Sequence, residues 1–141
     1  MDNDVRALFE RYARTFDRGL RGEDVAAETA EYFAPQFIAS VPAGVYTGTN
    51  GEPLREAVAG GFQRYRALGT REMLLGDIRV VPIDERHVLA FVSWTATYEK
   101  DDAVIAIPFT NCYFLRLDER LCIFGWVAGD EEAALKEHGI V

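Results

Sequence analysis

One asparagine stands alone among apolar residues in the long alternating segment Ala103–Leu117. The alternation predicts a β-strand in which Asn111 shares a face with Ile105, Ile107, Phe109, Tyr113 and Leu115. A buried amide without a hydrogen-bond partner costs roughly 1–3 kcal/mol, so either a neighbouring group or a ligand should satisfy it. An amide in an apolar wall suits recognition of a ligand oxygen, which makes Asn111 the first candidate for a site.

Asp77 is the second candidate, because it follows Met73 and Leu75 at alternating positions of another predicted strand. A carboxylate that faced a pocket between apolar neighbours would be placed to take a proton from a substrate, as a general base does. The alternative is that Asp77 lies on a solvated or intersubunit face and has no catalytic role.

Other residue patterns that signal catalysis or a bound metal do not occur in the chain. His87 and His138 have no cysteine or carboxylate at metal-ligand spacing. The sequence contains no glycine-rich phosphate loop, no nucleophile elbow and no Cys–His arrangement. We therefore expect neither a metal nor a cofactor.

The first half of the chain has apolar residues at helical spacing, which predicts the elements that cover these candidates. The spacing predicts helices over about residues 4–20, 24–33 and 53–68. A short strand is expected at 37–41, and a further one around 45–46 is left open. Thr49 and Glu52 have the spacing of a capping box at the start of the third helix. Close packing against a sheet is the simplest explanation for the pair Gly60-Gly61 inside it.

From Met73 onward the hydrophobic period is two, which predicts the strands that carry the candidates. Short polar turns separate these strands, so neighbouring strands should be antiparallel. A capped helix that begins at Asp130 follows them. The predicted strands cover residues 73–83, 88–100, 103–117 and 121–128, and the last helix covers 130–138.

The turns also predict which side chains share a face of the sheet. A tight hairpin at Asp101-Asp102 would place Trp94 opposite Phe109, and a turn at Asp118-Glu119 would place Trp126 opposite Asn111. The aromatic residues of this face either line a pocket or form a filled core. The face would contain Val92, Trp94, Tyr98, Phe109, Asn111, Tyr113, Phe124 and Trp126, covered by helix residues that include Phe16, Phe62 and Tyr65.

The opposite face of the predicted sheet is too apolar to be plain solvent surface. It holds Phe91, Cys112, Phe114 and Val127 among small polar residues, and only the short last helix is left to cover it. We expect a second copy of the chain to cover this face in a twofold homodimer through the sheet.

Composition limits the classes of partner. The chain has 141 residues, the size of one domain, and a net charge of −8, which disfavours nucleic acid and anionic membranes. No apolar run reaches the roughly 18–20 residues of a membrane span, and the N-terminus lacks the pattern of a signal peptide. The two cysteines are predicted on opposite faces of the sheet, so we expect no disulfide and a cytoplasmic location.

The order of elements resembles the cone-shaped α+β fold of the nuclear transport factor 2-like superfamily, over nearly the whole chain. Three short segments are also similar to that superfamily: residues 32–37, 45–48 and Phe124-Gly125-Trp126. The resemblance implies an α+β domain over residues 1–141, in which three helices pack on a curved, mostly antiparallel sheet and a short helix follows.

The superfamily includes ketosteroid isomerases, polyketide cyclases of the SnoaL type, scytalone dehydratases and non-catalytic binding proteins. By resemblance to the ketosteroid isomerases, Tyr12 and Asn111 fall near the tyrosine and the protonated aspartic acid of their oxyanion hole. The position of their general base, an aspartate before a proline, corresponds to Val41 before Pro42. The resemblance thus implies two hydrogen-bond donors without the base, unless Tyr12 is a core residue whose hydroxyl binds the backbone.

Two functions remain open from the sequence. The first is a pocket protein for a small, largely apolar molecule that bears a carbonyl group. As an enzyme it would be an isomerase, cyclase or dehydratase in which Tyr12 and Asn111 stabilise an oxyanion and Asp77 is the one base available. The second is a non-catalytic dimeric binding or accessory module.

Overall fold

The computed structural model describes residues 1–141 and shows four helices with a curved, unclosed sheet of six strands. The α+β fold predicted from the sequence is therefore confirmed. The helices are α1 (Asp2–Leu20), α2 (Ala26–Ala30), α3 (Glu52–Ala67) and α4 (Glu131–Glu137). The strands are β1 (Phe33–Val41), β2 (Gly44–Thr49), β3 (Thr70–Pro82), β4 (His87–Lys100), β5 (Ala103–Leu117) and β6 (Leu121–Val127).

The strands are arranged in the order β2-β1-β6-β5-β4-β3, and every neighbouring pair is antiparallel except β1 and β6. The predicted register of β4 and β5 is confirmed, because Trp94 pairs with Phe109. The hairpin between them turns at Asp101 and Asp102, whose φ angles are 52° and 64°. Both residues thus adopt the left-handed conformation that a tight two-residue hairpin requires.

The register of β5 and β6 differs from the prediction for two reasons: Leu117 pairs with Leu121, so the turn is one residue longer than predicted, and β6 contains a bulge. Phe114 pairs with Gly125 and Leu115 with Ile123, so Phe124 is an extra residue in the ladder. Trp126 consequently lies opposite Tyr113 rather than Asn111.

The core lies on the face of the sheet that packs against α1, which we call the inner face; the other is the outer face. On β4 the inner face carries the even-numbered residues from Val88 to Tyr98, all buried. From α1, Phe9 and its apolar neighbours pack against them. A smaller cluster of Leu20, Val25 and Phe62 joins α1 to the other two N-terminal helices. Each large apolar side chain buried in this way contributes about 1.5–3 kcal/mol.

Several element boundaries differ from the sequence predictions. Helix α2 ends at Ala30, well before Pro35, and Phe33 already belongs to β1. The capping box is wrong: Thr49 pairs with Gln36 in the β1–β2 ladder, and Gly51 is the N-cap of α3. The cap of α4 is confirmed, since the Asp130 carboxylate accepts a 2.9 Å hydrogen bond from the Ala133 N–H.

The cysteine prediction is also wrong in part. Cys112 lies opposite Phe91 and Cys122 opposite Arg116, so both are on the outer face, and both thiols are free. None of the helices combines the length and the apolar character needed to cross a membrane.

The structure gives a different explanation for the helical glycines. A Cβ added at Gly60 or Gly61 would meet nothing within 4 Å, so close packing does not account for this pair. A Cβ at Gly19, by contrast, would lie 2.5 Å from the ring of Phe62. The close approach of the Phe62 ring therefore requires glycine at position 19 of α1, whereas no close neighbour requires glycine at positions 60 and 61 of α3.

This difference predicts opposite effects of two alanine substitutions. Gly60→Ala should raise the free energy of unfolding by about 0.5–1 kcal/mol, because it removes backbone entropy from the unfolded chain at an open site. Gly19→Ala should lower it by about 1–3 kcal/mol, because the buried Phe62 ring must move. Urea unfolding of both variants checks this, and a stable Gly19→Ala protein would contradict the packing.

Candidate functional site

Three side chains on β4 and β5 form a hydrogen-bonded cluster on the inner face. The indole Nε1–H of Trp94 donates to the hydroxyl oxygen of Tyr113 at 3.1 Å. The amide Nδ2 of Asn111 donates to the same oxygen at 3.3 Å. A hydroxyl oxygen accepts through two lone pairs, so the proton of Tyr113 is free to be donated to a third group.

This arrangement answers the question raised by the lone amide in β5. Asn111 and Tyr113 are two residues apart, so they lie side by side on one face of the strand. One amide hydrogen of Asn111 is satisfied by this neighbour, while its second hydrogen and its Oδ1 bind no other protein group. Asn111 is half-buried, so these groups are accessible from the surface of the cluster.

Helix α1 places Tyr12 over the same cluster. Its ring centroid lies 6.0 Å from that of Trp94 and 5.5 Å from that of Tyr32. The hydroxyls of Tyr113 and Tyr32 form hydrogen bonds, whereas the Tyr12 hydroxyl forms none with another protein group. Burial, helped by the nearby Tyr113 and Tyr32, raises the pKa of Tyr12 far above its usual value, so it stays a protonated donor.

Burial also raises the pKa of Tyr113, and the hydrogen bonds from Asn111 and Trp94 oppose that effect. Both phenols are therefore neutral near pH 7. We call Trp94, Asn111, Tyr113 and Tyr12 the donor cluster. Three of its polar hydrogens have no acceptor within the protein: the two tyrosine hydroxyl hydrogens and one amide hydrogen of Asn111.

The aromatic residues that the sequence predicted to line a pocket lie at different places relative to the donor cluster. Phe109 is half-buried opposite Trp94 and packs against the main core. Trp126 stacks on Phe37, with ring centroids 5.6 Å apart and planes at 25°. Phe16 packs away from the sheet centre against two residues of α3, with ring centroids 4.9 Å from Phe62 and 5.5 Å from Tyr65.

Three predicted site residues lie elsewhere. The bulge turns Phe124 to the outer face, where its ring contacts those of His87 and Phe114, so its assignment to the pocket wall was wrong. Val41 is half-buried at the end of β1, opposite Gly44. It supplies no ionisable group at the position where the ketosteroid isomerases have their base.

Asp77 is the third predicted site residue that lies away from the donor cluster. A second bulge, between Leu75 and Ile78, interrupts the alternation of β3, and Ile78 takes the next inner position opposite Val92. Asp77 is consequently exposed. The structure therefore does not bring this carboxylate to the donors of the cluster.

Two aromatic neighbours of the site were missed from the sequence. Phe9 packs on Tyr113 with ring centroids 4.7 Å apart. It could have been found, because it lies on the same helical face as Tyr12 and Phe16. Tyr32 was assigned to a helix; in the structure it follows α2, and its hydroxyl bonds Thr15 at 2.9 Å.

Two open clefts lie away from the donor cluster. One, of about 570 Å³, borders the β4–β5 hairpin and includes Arg71, Asp101 and Asp102. The other, of about 910 Å³, runs along β1 and β2 and includes Ile38, Thr47 and Phe124. Within the donor cluster Trp94 and Tyr113 are buried, and Asn111 and Tyr12 are half-buried.

A curved sheet whose inner face is packed against helices and carries polar donors at its centre defines a cone-shaped protein of the NTF2-like class. A family model described as NTF2-like protein (DUF6841) matches residues 2–131. The chain therefore belongs to this family, and the resemblance noted in the sequence is confirmed.

Solved structures agree on the fold. An NTF2-like protein with a cystatin-like fold from Novosphingobium aromaticivorans superposes with a TM-score of 0.69 at 14% identity, covering 99% of this chain and 88% of that chain. Aln2 from a Streptomyces species gives 0.67 at 18% identity, with coverages of 95% and 93%. A Catenulispora acidiphila protein in complex with S-DNPA gives 0.66 at 13% identity, with coverages of 95% and 96%. No curated protein matches by sequence.

The donor cluster predicts a difference between two conservative substitutions. Tyr113→Phe removes the acceptor of Trp94, whose side chain is buried, and should lower the free energy of unfolding by about 1–3 kcal/mol. Tyr12→Phe breaks no hydrogen bond within the protein and should change it much less. Urea unfolding compares the two variants, and equal losses would show that Tyr12 also has a structural partner.

Proposed function

We propose that the protein binds a small, largely apolar molecule through an oxygen atom that accepts hydrogen bonds from the donor cluster. The observation that carries the proposal is the oxygen of Tyr113, which already accepts from both Trp94 and Asn111. Its own proton needs another acceptor, and the free hydroxyl of Tyr12 lies on the helix above. Buried donors without acceptors are costly, so a ligand oxygen here would be stabilised.

The chemistry of the surroundings narrows the class of ligand. The walls beside the donors are aromatic, including Phe9, Phe109 and Trp126, and suit a flat apolar body. The free hydrogens favour a ketone, quinone or similar carbonyl acceptor over an amine. The protein of similar fold from Catenulispora acidiphila was solved in complex with S-DNPA, which supports a ligand-binding role for the fold.

Polarisation of a carbonyl is the chemical contribution that these residues would make. An isomerase, cyclase or dehydratase of the SnoaL type would use the same donors to stabilise an oxyanion. Proton abstraction also needs a base within hydrogen-bond reach, and Val41 and exposed Asp77 do not supply one. The proposal therefore rests on recognition, and any catalysis would use a base from the substrate or from water.

A matched pair of probes tests the proposal: 1-tetralone, an aromatic ketone, and tetralin, the same skeleton without oxygen. Wild type should bind 1-tetralone about 5–10-fold more tightly, the value of one net hydrogen bond of about 1 kcal/mol or slightly more. Asn111→Leu and Tyr12→Phe should remove most of this preference. Titration calorimetry and melting temperature measure it, because a ligand of the native state stabilises it.

Tyr46→Phe is the control, because Tyr46 is exposed on β2, far along the sheet from β4 and β5. It should retain the preference for 1-tetralone. Equal binding of the two probes by wild type, or failure of both to bind, would remove the proposal and leave the cluster as a structural network.

A second candidate function is that of a dimeric accessory module, and the outer face favours it. This face carries the ring cluster of Phe114 and Phe124, and Arg79 lies 4.2 Å over the ring of Phe91. We infer that a second copy of the chain covers this face, as the sequence led us to expect. The free thiols of Cys112 and Cys122 fit a reducing compartment, and we propose the cytoplasm.

The outer-face dimer predicts that one added charge separates the copies. Phe114→Glu places a carboxylate among the outer-face rings, and should halve the mass of the assembly in sedimentation equilibrium. Ala59→Glu adds the same charge at an exposed position of α3 and should leave the mass unchanged. A wild-type monomer across micromolar concentrations would exclude this dimer.

A further inference from the structure

The two edges of the sheet are protected very differently. The edge strand β3 carries Arg71, Glu72, Asp77 and Arg79, has two register shifts, and ends at Pro82. Charges, bulges and proline all discourage pairing with another strand. The edge strand β2, Gly-Val-Tyr-Thr-Gly-Thr, has no charge and no proline, and pairs with β1 over six consecutive residues without a bulge.

The absence of charge extends beyond β2. Charged residues make up 27% of the chain, yet none occurs between Tyr32 and Gly51. Each copy has a net charge of −8, so two copies repel each other over most of their surface. The stretch from Tyr32 to Gly51 is the longest uncharged segment of the chain and contains the edge strand β2, so two copies can meet there without opposing like charges.

The backbone of β2 presents its free groups at this edge. The N–H of Asn50 donates to the carbonyl of Pro35 at 2.8 Å, which makes this a hydrogen-bonded pair of the β1–β2 ladder. In an antiparallel ladder bonded and non-bonded pairs alternate. The N–H and C=O groups of Val45, Thr47 and Thr49 therefore point away from β1, toward the open edge.

The side chains of the same residues suit strand pairing. Val45, Thr47 and Thr49 form a row of β-branched residues on the outer face, and all three are exposed. Val45 is 64% exposed, and Tyr46, on the inner side of the edge, is 56% exposed. β-Branched and aromatic residues gain most from neighbours across a strand pair. The groove along β1 and β2 leaves space beside this row.

We propose that β2 pairs antiparallel with β2 of a second copy about a twofold axis, joining two six-stranded sheets edge to edge. A second copy fits better than an unrelated extended peptide, because the uncharged edge offers no charge to select such a partner and the row of Val45, Thr47 and Thr49 is self-complementary. A register centred on Thr47 pairs Val45 with Thr49 of the partner subunit. This contact joins strand edges, whereas the proposed outer-face dimer joins the rings of Phe91 and Phe114, and the donor cluster takes part in neither.

Two substitutions at Thr47 test the proposal. Thr47→Pro removes an N–H that points to the open edge and leaves the hydrogen bonds of β2 to β1 in place. Thr47→Lys puts a charge at the centre of the edge while keeping the backbone. Both variants should have half the assembly mass of wild type in sedimentation equilibrium. If wild type is a dimer through β2 alone, they should be monomers; if the outer face also makes it a tetramer, they should be dimers.

The control is Ala59→Lys, the same charge at an exposed position of α3 that takes part in neither proposed sheet contact, which should leave the mass unchanged. Hydrogen exchange gives a second readout: the amides of Val45, Thr47 and Thr49 should exchange more slowly as wild-type concentration rises. Because Thr47→Lys changes only an exposed side chain, it tests the contact even if Thr47→Pro unfolds. A wild-type monomer, an unchanged mass in Thr47→Lys, or concentration-independent exchange would each overturn the proposal.

Discussion

The arrangement of the inner face depends on the hydrogen bonds that the hydroxyl oxygen of Tyr113 accepts. Trp94 from β4 and Asn111 from β5 both donate to it, so one atom satisfies a buried indole and a half-buried amide. The arrangement requires the β4–β5 register, since a slip by one residue would turn Asn111 and Tyr113 to the outer face. The same arrangement leaves the phenolic proton of Tyr113 without an acceptor, which connects the stability of the sheet with the proposed recognition of a ligand oxygen.

Helix α1 surrounds the hydroxyl of Tyr113 with aromatic side chains. Phe9 packs on the ring of Tyr113, and Tyr12 packs against Trp94, so the polar atoms lie between aromatic surfaces. In such surroundings the charged form of a phenol is disfavoured, which explains the raised pKa of Tyr12. Neutral donors in an apolar setting discriminate by the presence of an acceptor rather than by charge, and this suits a carbonyl compound better than an ion.

The elements, the β4–β5 register and the lone polar group were predictable from the sequence, because hydrophobic period and the Asp101-Asp102 turn specify them locally. The errors in the face to which a side chain was assigned occur at two bulges and at the turn between β5 and β6, which is one residue longer than predicted. An extra residue at Phe124 and the shift beside Asp77 each change the parity of a strand, and the alternation of residue types does not show this. Two glycines in the sequence could have indicated these bulges, because Gly125 and Gly76 stand next to Phe124 and Asp77 and a glycine inside a strand often marks a bulge.

Both bulges change what the protein can do. At Asp77 the bulge moves a carboxylate out to solvent, and at Phe124 it moves an aromatic ring from the inner face to the outer face. The inner face thus loses the one base that the strand pattern offered and keeps its donors, while the outer face gains apolar surface. Donors of this kind can hold and polarise an oxygen, and neither Val41 nor Asp77 stands beside them as a base. The proposed recognition by the inner face and the proposed association through the outer face both rest on these two changes.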